Sequence, residues 1–304
     1  MKAMKLKKEV SIVSETFSSD TLLTQARQQL DAAGVVGAAL DARILLGHTL
    51  GCSSEALLAG REVSAEEQAD YQELIARRAA REPVAKIIGY RDFWKDRFQV
   101  TADTLDPRHD TETLIEAVLA LRSDRATVHS ILDLGTGTGC LLLSLLREYP
   151  EASGVGVDLS QSALAIAQAN AQALSLDNRA RFVLSDWLAS VEGTYDLIVS
   201  NPPYIGASER GLLMPEVRDY DPALALFAGA EGLDAYRSLL PRILPFLNPK
   251  GLVAMEVGVM QASVVQALGE AAGLQHRGTV NDLAGIPRII LFQPASLHKD
   301  YSHA

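Results

Sequence analysis

The chain has 304 residues, of which 48% are hydrophobic and 22% are charged, and its 28 basic and 38 acidic residues give a net charge of −10. This length exceeds the roughly 250–300 residues at which single cores stop growing, so we expect two domains. The composition excludes a disordered chain, and no apolar run approaches the ~20 residues of a membrane span. The acidic balance disfavours direct binding to a nucleic-acid backbone.

Cysteine and histidine usage narrows the class of protein further. Cys52 and Cys140 are too few for a disulfide framework and fit a reducing compartment, so we expect a cytoplasmic protein. The six histidines lack the spacing of metal ligands, and the sequence therefore predicts no metal site. No feature indicates an obligate oligomer, so we expect a monomer.

The first third of the chain has a helical pattern. Residues 1–17 carry four lysines without an apolar stretch, which indicates a flexible tail rather than a secretion signal. Over 19–81 the apolar residues recur at helical spacing, and no strand is expected there. Ser64-Ala-Glu-Glu67 has the pattern of a capping box, and the helix that it begins must end near Pro83. The sequence predicts a small all-α domain over residues 1–85.

The remaining two thirds change character twice. Aromatic and charged residues alternate over 86–110, which predicts a β-hairpin connector. Over 111–304, short β runs separated by helices at 139–148 and 160–174 predict an α/β domain with a Rossmann-like seven-stranded sheet. The last two strands are expected to pair antiparallel, because their connection is too short for a crossover helix. The seven expected strands are 130–133, 154–158, 181–184, 195–199, 251–257, 275–280 and 287–293.

A glycine loop, Leu132-Asp-Leu-Gly-Thr-Gly-Thr-Gly139, lies where the first of these strands meets its helix. Glycines there let the backbone approach a ligand, and Asp158 at the end of the next strand can accept both hydroxyls of a ribose. Cys140 occupies the position where a dinucleotide site needs glycine, so a nicotinamide enzyme is disfavoured. Gly-x-Gly-x-Gly is typical of S-adenosylmethionine methyltransferases; a ligand-free turn is the alternative. The expected cofactor contacts in the loop are Gly135, Thr136, Gly137, Thr138 and Gly139.

The tetrapeptide Asn201-Pro-Pro-Tyr204 directly follows the fourth strand of this domain. Its two prolines stiffen the loop and leave its carbonyls free to accept hydrogen bonds. The Asn201 oxygen and the Pro202 carbonyl would accept from a planar –NH2 group and aim its nitrogen at a sulfonium methyl, and Tyr204 offers a flat face. We therefore expect Asn201, Pro202 and Tyr204 to be catalytic. With Pro203, the same three residues are the expected substrate contacts, and Asn201 is also an expected cofactor contact.

Two further residues follow the third strand of the domain. Trp187 is expected to stack on the adenine of the cofactor, and Asp186 can accept from its exocyclic amine. The alternative for Trp187 is a buried core aromatic.

The chain resembles the HemK-like protein-(glutamine-N5) methyltransferases over nearly its whole length. The matching stretches are Gly89-Tyr-Arg-Asp-Phe-Trp94, Asp133 to Gly139, Val157 to Ser160 with Asn170 and Ala171, Asp186-Trp187, Ser200 to Ile205, Gly232 to Arg237, Glu256 to Gly258 with Gln261, and Asp282 to Arg288. The resemblance implies a class I methyltransferase fold, S-adenosylmethionine as donor, and a glutamine of a Gly-Gly-Gln loop in peptide chain release factors as substrate. It implies that the N-terminal domain and the hairpin grip the partner protein.

Three positions depart from the pattern of that family. Asp106 and His109 stand where the family usually has isoleucine and proline, and Asp221 replaces the usual glutamate. Asp106 and His109 are expected near the cofactor pocket, where they alter its closure or are tolerated as loop variation. Two alternative functions remain open: adenine-N6 methylation of nucleic acid, which shares the tetrapeptide, and a cofactor-binding partner protein without catalysis.

Overall fold

The computed structural model describes residues 16–53 and 55–295. The chain divides into two compact units, Met1–Ile88 and Gly89–Ala304. Most of the tail expected over 1–17 lies outside the described residues.

The first unit is helical apart from one small sheet. Its elements are β1 (Thr16–Ser18), α1 (Ser19–Ala32), α2 (Ala38–Thr49), β2 (Glu62–Ser64), α3 (Ala65–Ala79) and α4 (Val84–Ile88), with a 3-10 turn at Ala56–Ala59. The capping box is confirmed, since the Glu67 N–H donates to Ser64 Oγ and the Ser64 N–H donates to Glu67 Oε2. Leu30, Leu45 and Tyr71 are among the buried residues of its core.

The prediction of an N-terminal unit without strands is wrong. β1 pairs antiparallel with β2, and the Arg61 N–H donates to Ser19 Oγ beside this pair. Each strand has three residues, too few for an alternating pattern to show in the sequence. Thr16 and Phe17, expected in the tail, belong to β1.

The second unit opens with a hairpin of β3 (Tyr90–Phe93) and β4 (Asp96–Gln99). Phe93 and Phe98 pack edge to face inside the core of this unit, with ring centroids 6.1 Å apart. Residues 86–88, expected in the hairpin connector, belong to α4 instead. The hairpin is therefore part of the second compact unit.

A seven-stranded mixed sheet forms the centre of the second unit. Its remaining elements are α5 (Glu112–Leu121), β5 (Ser130–Leu134), α6 (Cys140–Glu148), β6 (Ser153–Asp158), α7 (Gln161–Ala173), β7 (Ala180–Leu184), β8 (Tyr195–Ser200), α8 (Pro215–Tyr220), α9 (Ala223–Leu226), α10 (Asp234–Leu239), β9 (Leu247–Glu256), α11 (Ala262–Ala271), β10 (Leu274–Asn281) and β11 (Pro287–Pro294). Shorter 3-10 turns lie at His109–Thr111, Arg125–Thr127, Ala207–Leu212, Leu240–Arg242 and Leu244–Phe246.

The strand order is β10-β11-β9-β8-β5-β6-β7, with β11 antiparallel to both β9 and β10. The expected antiparallel pair is confirmed, and β11 is the strand that runs against the other six. The chain leaves β5 towards β6 and β7, and then returns to the other side at β8. Because connections diverge at this point, a crevice opens at the carboxyl ends of β5 and β8. Leu134 pairs with Ser200 there, so the glycine loop and Asn201 begin side by side.

Candidate active site

The glycine loop leaves β5 in a conformation that favours glycine. Gly135, Gly137 and Gly139 have φ values of +75°, +54° and +80°, in the left-handed region that side chains disfavour. The Gly135 and Thr136 N–H groups both donate to the Val157 carbonyl at 2.9 Å, which fixes the loop to β6. Residue type and backbone shape thus agree at each glycine.

The two threonines and the last glycine of this loop contact the residues that pack beneath it. Thr136 Oγ1 donates to Asp133 Oδ2 at 2.7 Å, and the Thr138 carbonyl accepts from the Asn170 side chain at 2.9 Å. Gly139 packs close to Ala167, which a Cβ would approach to 3.3 Å. Thr136, Thr138 and Gly139 are not among the residues that line the neighbouring cavity. Their expected contact with a cofactor stays a prediction.

Asp133 is a buried carboxyl group beneath the loop. Asp133 is 1% exposed, and within the described residues its Oδ1 has no hydrogen-bond partner. Burial raises the pKa of Asp133 to about 7, against a smaller lowering by the Thr136 hydrogen bond.

A cavity of about 520 Å³ lies at the carboxyl edge of the sheet. Six residues expected at the site line it: Gly135, Gly137, Asp158, Trp187, Asn201 and Pro203. Asp158 Oδ2 accepts from the Gly137 N–H and Oδ1 accepts from the Ser160 N–H, each at 2.9 Å. These two bonds hold the Asp158 carboxylate in one orientation at the cavity wall. Asp186 lines the same cavity.

The Trp187 ring faces the glycine loop. A Cβ built on Gly135 would lie 3.5 Å from Trp187 Cζ3, so the backbone of the loop passes close to the ring. Trp187 itself has a φ of +52°, an uncommon value for a bulky residue, and the Ser185 hydroxyl donates to its carbonyl at 2.8 Å. The ring is partly buried against a hydrophobic cluster that includes Leu134 and Val157, so it packs in the core and lines the cavity at once.

Asn201 and Tyr204 are tied to residues that the sequence analysis did not assign to the site. Asn201 Nδ2 donates to Thr111 Oγ1 at 3.1 Å, and the Tyr204 hydroxyl donates to Glu256 Oε1 at 3.1 Å. Thr111 Oγ1 in turn donates to Glu256 Oε2 at 2.6 Å. Pro202 is buried, and neither it nor Tyr204 lines the cavity. The Pro202 carbonyl as an acceptor for the substrate and the flat face of Tyr204 as a substrate platform both stay predictions.

The loop of Tyr204 is further held by its backbone. Gln261 Nε2 donates to the Tyr204 carbonyl at 2.9 Å, and Gln261 Oε1 accepts from the Gly258 N–H at 3.0 Å. Gly232 packs so closely that a Cβ there would lie 2.1 Å from the Tyr204 carbonyl oxygen. The sequence places Gly232, Gly258 and Gln261 in the stretches that match the family, and the structure shows that they hold the Tyr204 backbone.

The departures at Asp106 and Asp221 lie in contact with each other. The Asp106 N–H donates to Asp221 Oδ1 at 3.4 Å, and Arg108 Nη2 donates to Asp221 Oδ2 at 2.8 Å. Residues 102–105, just before this contact, line the cavity, as does Pro222 just after it. His109 is exposed, and its ring lies 3.0 Å from Glu112 Oε1.

Comparisons with known proteins point to one family. Residues 21–89 match the PrmC N-terminal domain family, and residues 103–213 match the methyltransferase small domain family. The chain is 47% identical over 272 residues to a release factor glutamine methyltransferase of Rhodospirillum rubrum, covering 89% of this chain and 83% of that protein. It is 42% identical over 271 residues to one of Caulobacter vibrioides, covering 88% and 93% of the two chains.

The chain belongs to the release factor glutamine methyltransferase family. It is therefore a methyltransferase, and the resemblance noted from its motifs is confirmed. Its fold is the α/β class I methyltransferase fold. The catalytic domain of hMettl16, solved with MAT2A 3'UTR hairpin 6, shares this fold with a TM-score of 0.54 at 13% identity, covering 78% of this chain and 85% of that chain.

Membership of this family implies S-adenosylmethionine as the methyl donor, and the cavity fits that molecule. Asp158 presents a fixed carboxylate for ribose hydroxyls, and Trp187 presents its aromatic ring to the same cavity as a flat surface for an adenine. Within the described ranges, no group of three or more histidine, cysteine, aspartate or glutamate side chains is arranged to hold a metal ion. In the same residues, no helix is both long and apolar enough to cross a membrane.

Proposed function

We propose that this chain methylates the side-chain amide nitrogen of the glutamine in the Gly-Gly-Gln loop of peptide chain release factors, with S-adenosylmethionine as donor. One observation carries the proposal. Asn201 lines the same cavity as Asp158 and Trp187, and its Nδ2 is bound to Thr111, so its Oδ1 is left as an acceptor. An amide acceptor beside a nucleoside site is what an amide –NH2 substrate requires.

The chemical problem is that the lone pair of an amide nitrogen is delocalised into its carbonyl. Hydrogen bonds from the two N–H groups to Asn201 Oδ1 and to the Pro202 carbonyl draw electron density back to the nitrogen and aim it. S-adenosylmethionine supplies an electrophilic methyl group on a sulfonium sulfur. The glutamine nitrogen forms the new C–N bond as the C–S bond breaks, and it then releases its extra proton to water.

Glu256, a buried carboxylate connected to Asn201 through Thr111, is not proposed as a base. Glu256 is 2% exposed, and each of its carboxylate oxygens already accepts from a hydroxyl, of Thr111 and of Tyr204. A nitrogen that becomes acidic on methylation needs no strong base beforehand. Glu256 is therefore available for a structural task.

The assignment of the partner-binding surface is also a proposal. The first unit and the β3–β4 hairpin are proposed to hold the release factor while its loop enters the cavity. Val36, just before α2, and Leu40, in the first turn of α2, are 77% and 57% exposed. Exposed apolar side chains of this kind support contact with a protein. The net charge of −10 supports a protein substrate rather than nucleic acid. We propose that the chain acts in the cytoplasm, since Cys52 and Cys140 are both free. We also propose that it acts as a monomer.

The experiment uses S-adenosylmethionine with a tritiated methyl group and three substrates: a release factor, the same factor with alanine in place of the Gly-Gly-Gln glutamine, and duplex DNA. We expect label only in the first. Asn201→Ala should abolish it while the protein keeps its melting temperature. Label in DNA would replace the proposal with adenine methylation. No label in any substrate, with cofactor binding shown by calorimetry, would favour a partner protein without catalysis.

A further inference from the structure

Asn201, Thr111, Glu256 and Tyr204 form one continuous chain of hydrogen bonds behind the cavity wall. Asn201 Nδ2 donates to Thr111, and Thr111 donates to Glu256 Oε2. Tyr204 donates to Glu256 Oε1. The first residue of the tetrapeptide is therefore connected to the Glu256 carboxylate through Thr111, and the last residue is bonded to it directly. Thr111 and Glu256 are 3% and 2% exposed, and neither lines the cavity.

The direction of every proton in this chain follows from donor counting. An ionised carboxylate only accepts, so Glu256 takes the hydroxyl hydrogens of Thr111 and Tyr204. A threonine hydroxyl has one hydrogen, and here it points to Glu256. Its oxygen can then only accept from Asn201, which must present its –NH2 group to Thr111. The Asn201 oxygen is thereby turned away from Thr111.

This orientation decides whether Asn201 can assist the reaction. The two ends of a carboxamide have nearly the same shape, so packing alone does not distinguish them. With the amide rotated by half a turn, Asn201 would face the substrate –NH2 with its own N–H groups, and two donors would oppose each other. The acceptor needed for methyl transfer exists only in the orientation that Thr111 enforces.

Glu256 keeps this polarity only while it is ionised. Burial is the largest influence and raises the pKa of Glu256 above its usual range, while the Thr111 hydrogen bond, the charge of Arg288 and the Tyr204 hydrogen bond act in the opposite direction. Both hydroxyl groups that donate to the carboxylate stabilise its ionised form. Arg288 is held beside it by Asp282, with Arg288 Nη2 3.0 Å from Asp282 Oδ2, and donates to the Val257 carbonyl. The other titratable groups around Glu256 are Asp110, Tyr204 and Tyr236, whose hydroxyl donates to the Glu256 carbonyl. A protonated Glu256 could donate to Thr111 and release the hydroxyl hydrogen towards Asn201.

We propose that Thr111 and Glu256 are positioning residues that set the orientation of the Asn201 carboxamide, and that they do so through a relay whose direction is fixed by the Glu256 carboxylate. This proposal rests on the proposed function for its effect on catalysis. The relay of hydrogen bonds belongs to the folded protein itself and can be observed without substrate.

The test compares Thr111→Val, which keeps the shape and removes the hydroxyl, with Thr111→Ser, which keeps the hydroxyl. We expect Thr111→Val to lower kcat about 10- to 100-fold with little change in KM for the release factor or in Kd for S-adenosylmethionine. Thr111→Ser should retain kcat within about threefold of the wild type, because the relay survives. Thr127→Val, at an exposed threonine whose hydroxyl donates to the Asp124 carbonyl, is the matched control and should behave as wild type.

Glu256→Gln tests the direction of the relay. Its –NH2 group can donate to Thr111 and so reverse the proton order, and we expect kcat to fall as far as in Thr111→Val. Equal kcat in Thr111→Val and Thr111→Ser, or wild-type kcat in both Glu256→Gln and Glu256→Leu, which has no acceptor for the Thr111 hydroxyl, would overturn the proposal. A melting temperature close to that of the wild type shows that each variant is folded.

A readout without turnover separates this proposal from the proposed function. The side-chain –NH2 resonance of Asn201 in 15N-labelled protein, identified by its loss in Asn201→Ala, should shift in Thr111→Val and stay in place in Thr111→Ser. If the two Thr111 variants show this pattern but the wild-type protein labels no release factor, the result supports the relay and contradicts the proposed function. A resonance unchanged in Thr111→Val would overturn the relay whatever the activity.

Discussion

Arg91 and Asp106 form a bidentate ion pair within the second unit. Arg91 Nε donates to Asp106 Oδ1 at 2.6 Å, and Arg91 Nη2 donates to Oδ2. The Asp106 side chain is 1% exposed and that of Arg91 is 30% exposed. A carboxylate can therefore stand at this position, where the family usually has isoleucine, because a guanidinium neutralises it and the Asp221 side chain accepts from its backbone N–H.

We expect this ion pair to contribute more to the free energy of unfolding than an exposed ion pair does. A double-mutant cycle with Asp106→Ala and Arg91→Ala should give a coupling of about 1–3 kcal/mol in the free energy of unfolding, reduced from that of a fully buried pair because solvent reaches Arg91. The control is the same cycle for Arg97 and Asp92, whose side chains are 58% and 69% exposed and whose coupling should stay below about 1 kcal/mol. Equal couplings for the two pairs would contradict this account.

Gly232→Ala should impair both stability and activity. A Cβ there would lie 2.1 Å from the Tyr204 carbonyl oxygen, and the φ of +73° is itself unfavourable for alanine. We expect a loss of about 2–4 kcal/mol in the free energy of unfolding and a lower kcat, because the Tyr204 backbone must move. Gly211→Ala is the control, since nothing lies within 4 Å of its Cβ. A Gly232→Ala protein with wild-type kcat and stability would show that this contact is not tight.

Asp133 should give the stability of the cofactor-free chain a measurable pH dependence. Burial raises its pKa from 3.8 to about 7, so between these values the folded chain holds a proton that the unfolded chain has released. Asp133 therefore contributes fully to the stability of the folded chain below the pKa of the unfolded state, and this contribution is lost as the pH rises through the pKa of the folded state. The free energy of unfolding falls by at most about 1.4 kcal/mol per pH unit. Asp133→Asn removes this loss, so its stability relative to the wild type should grow from about pH 5 to about pH 7 in urea unfolding. A difference that does not change with pH would contradict the buried carboxyl, and Glu151→Gln, at an exposed site, should show no trend.

Asp158→Asn should weaken cofactor binding without unfolding the chain. Both Asp158 oxygens accept from backbone N–H groups, and an asparagine can offer only one acceptor oxygen in their place. We expect the Kd for S-adenosylmethionine, measured by calorimetry, to rise about 10-fold or more, as for the loss of a charge-assisted hydrogen bond. Asp177→Asn, at an exposed aspartate, should leave the Kd unchanged. An unchanged Kd in Asp158→Asn would remove Asp158 from the cofactor site.

The parts of the fold that local pattern controls were predictable from the sequence. The seven strands lie within a few residues of their expected positions, because buried parallel strands are apolar runs in the sequence. The sharp turn after the first strand of the sheet was also predictable, because its three glycines adopt positive φ values that other residues disfavour. The meeting of the glycine loop with Asn201 also followed, since consecutive strand ends share one edge of a sheet.

What the sequence could not supply are contacts between distant segments. Thr111 precedes Asn201 by 90 residues and Glu256 follows Thr111 by 145, and no local spacing connects them. Thr136 and Thr138 were expected at the cofactor because they lie between glycines, but the direction of their side chains depends on Asp133 and on the packing of the loop. The three-residue strands β1 and β2 likewise depend on their mutual pairing rather than on pattern.

The most direct test of the account is tandem mass spectrometry of a release factor incubated with the wild-type chain and S-adenosylmethionine. We expect one added methyl group, located by fragmentation on the side-chain amide of the glutamine in Gly-Gly-Gln, and none after incubation with Asn201→Ala. An unmodified glutamine, in a reaction where the wild-type chain is folded and binds the cofactor, would contradict it.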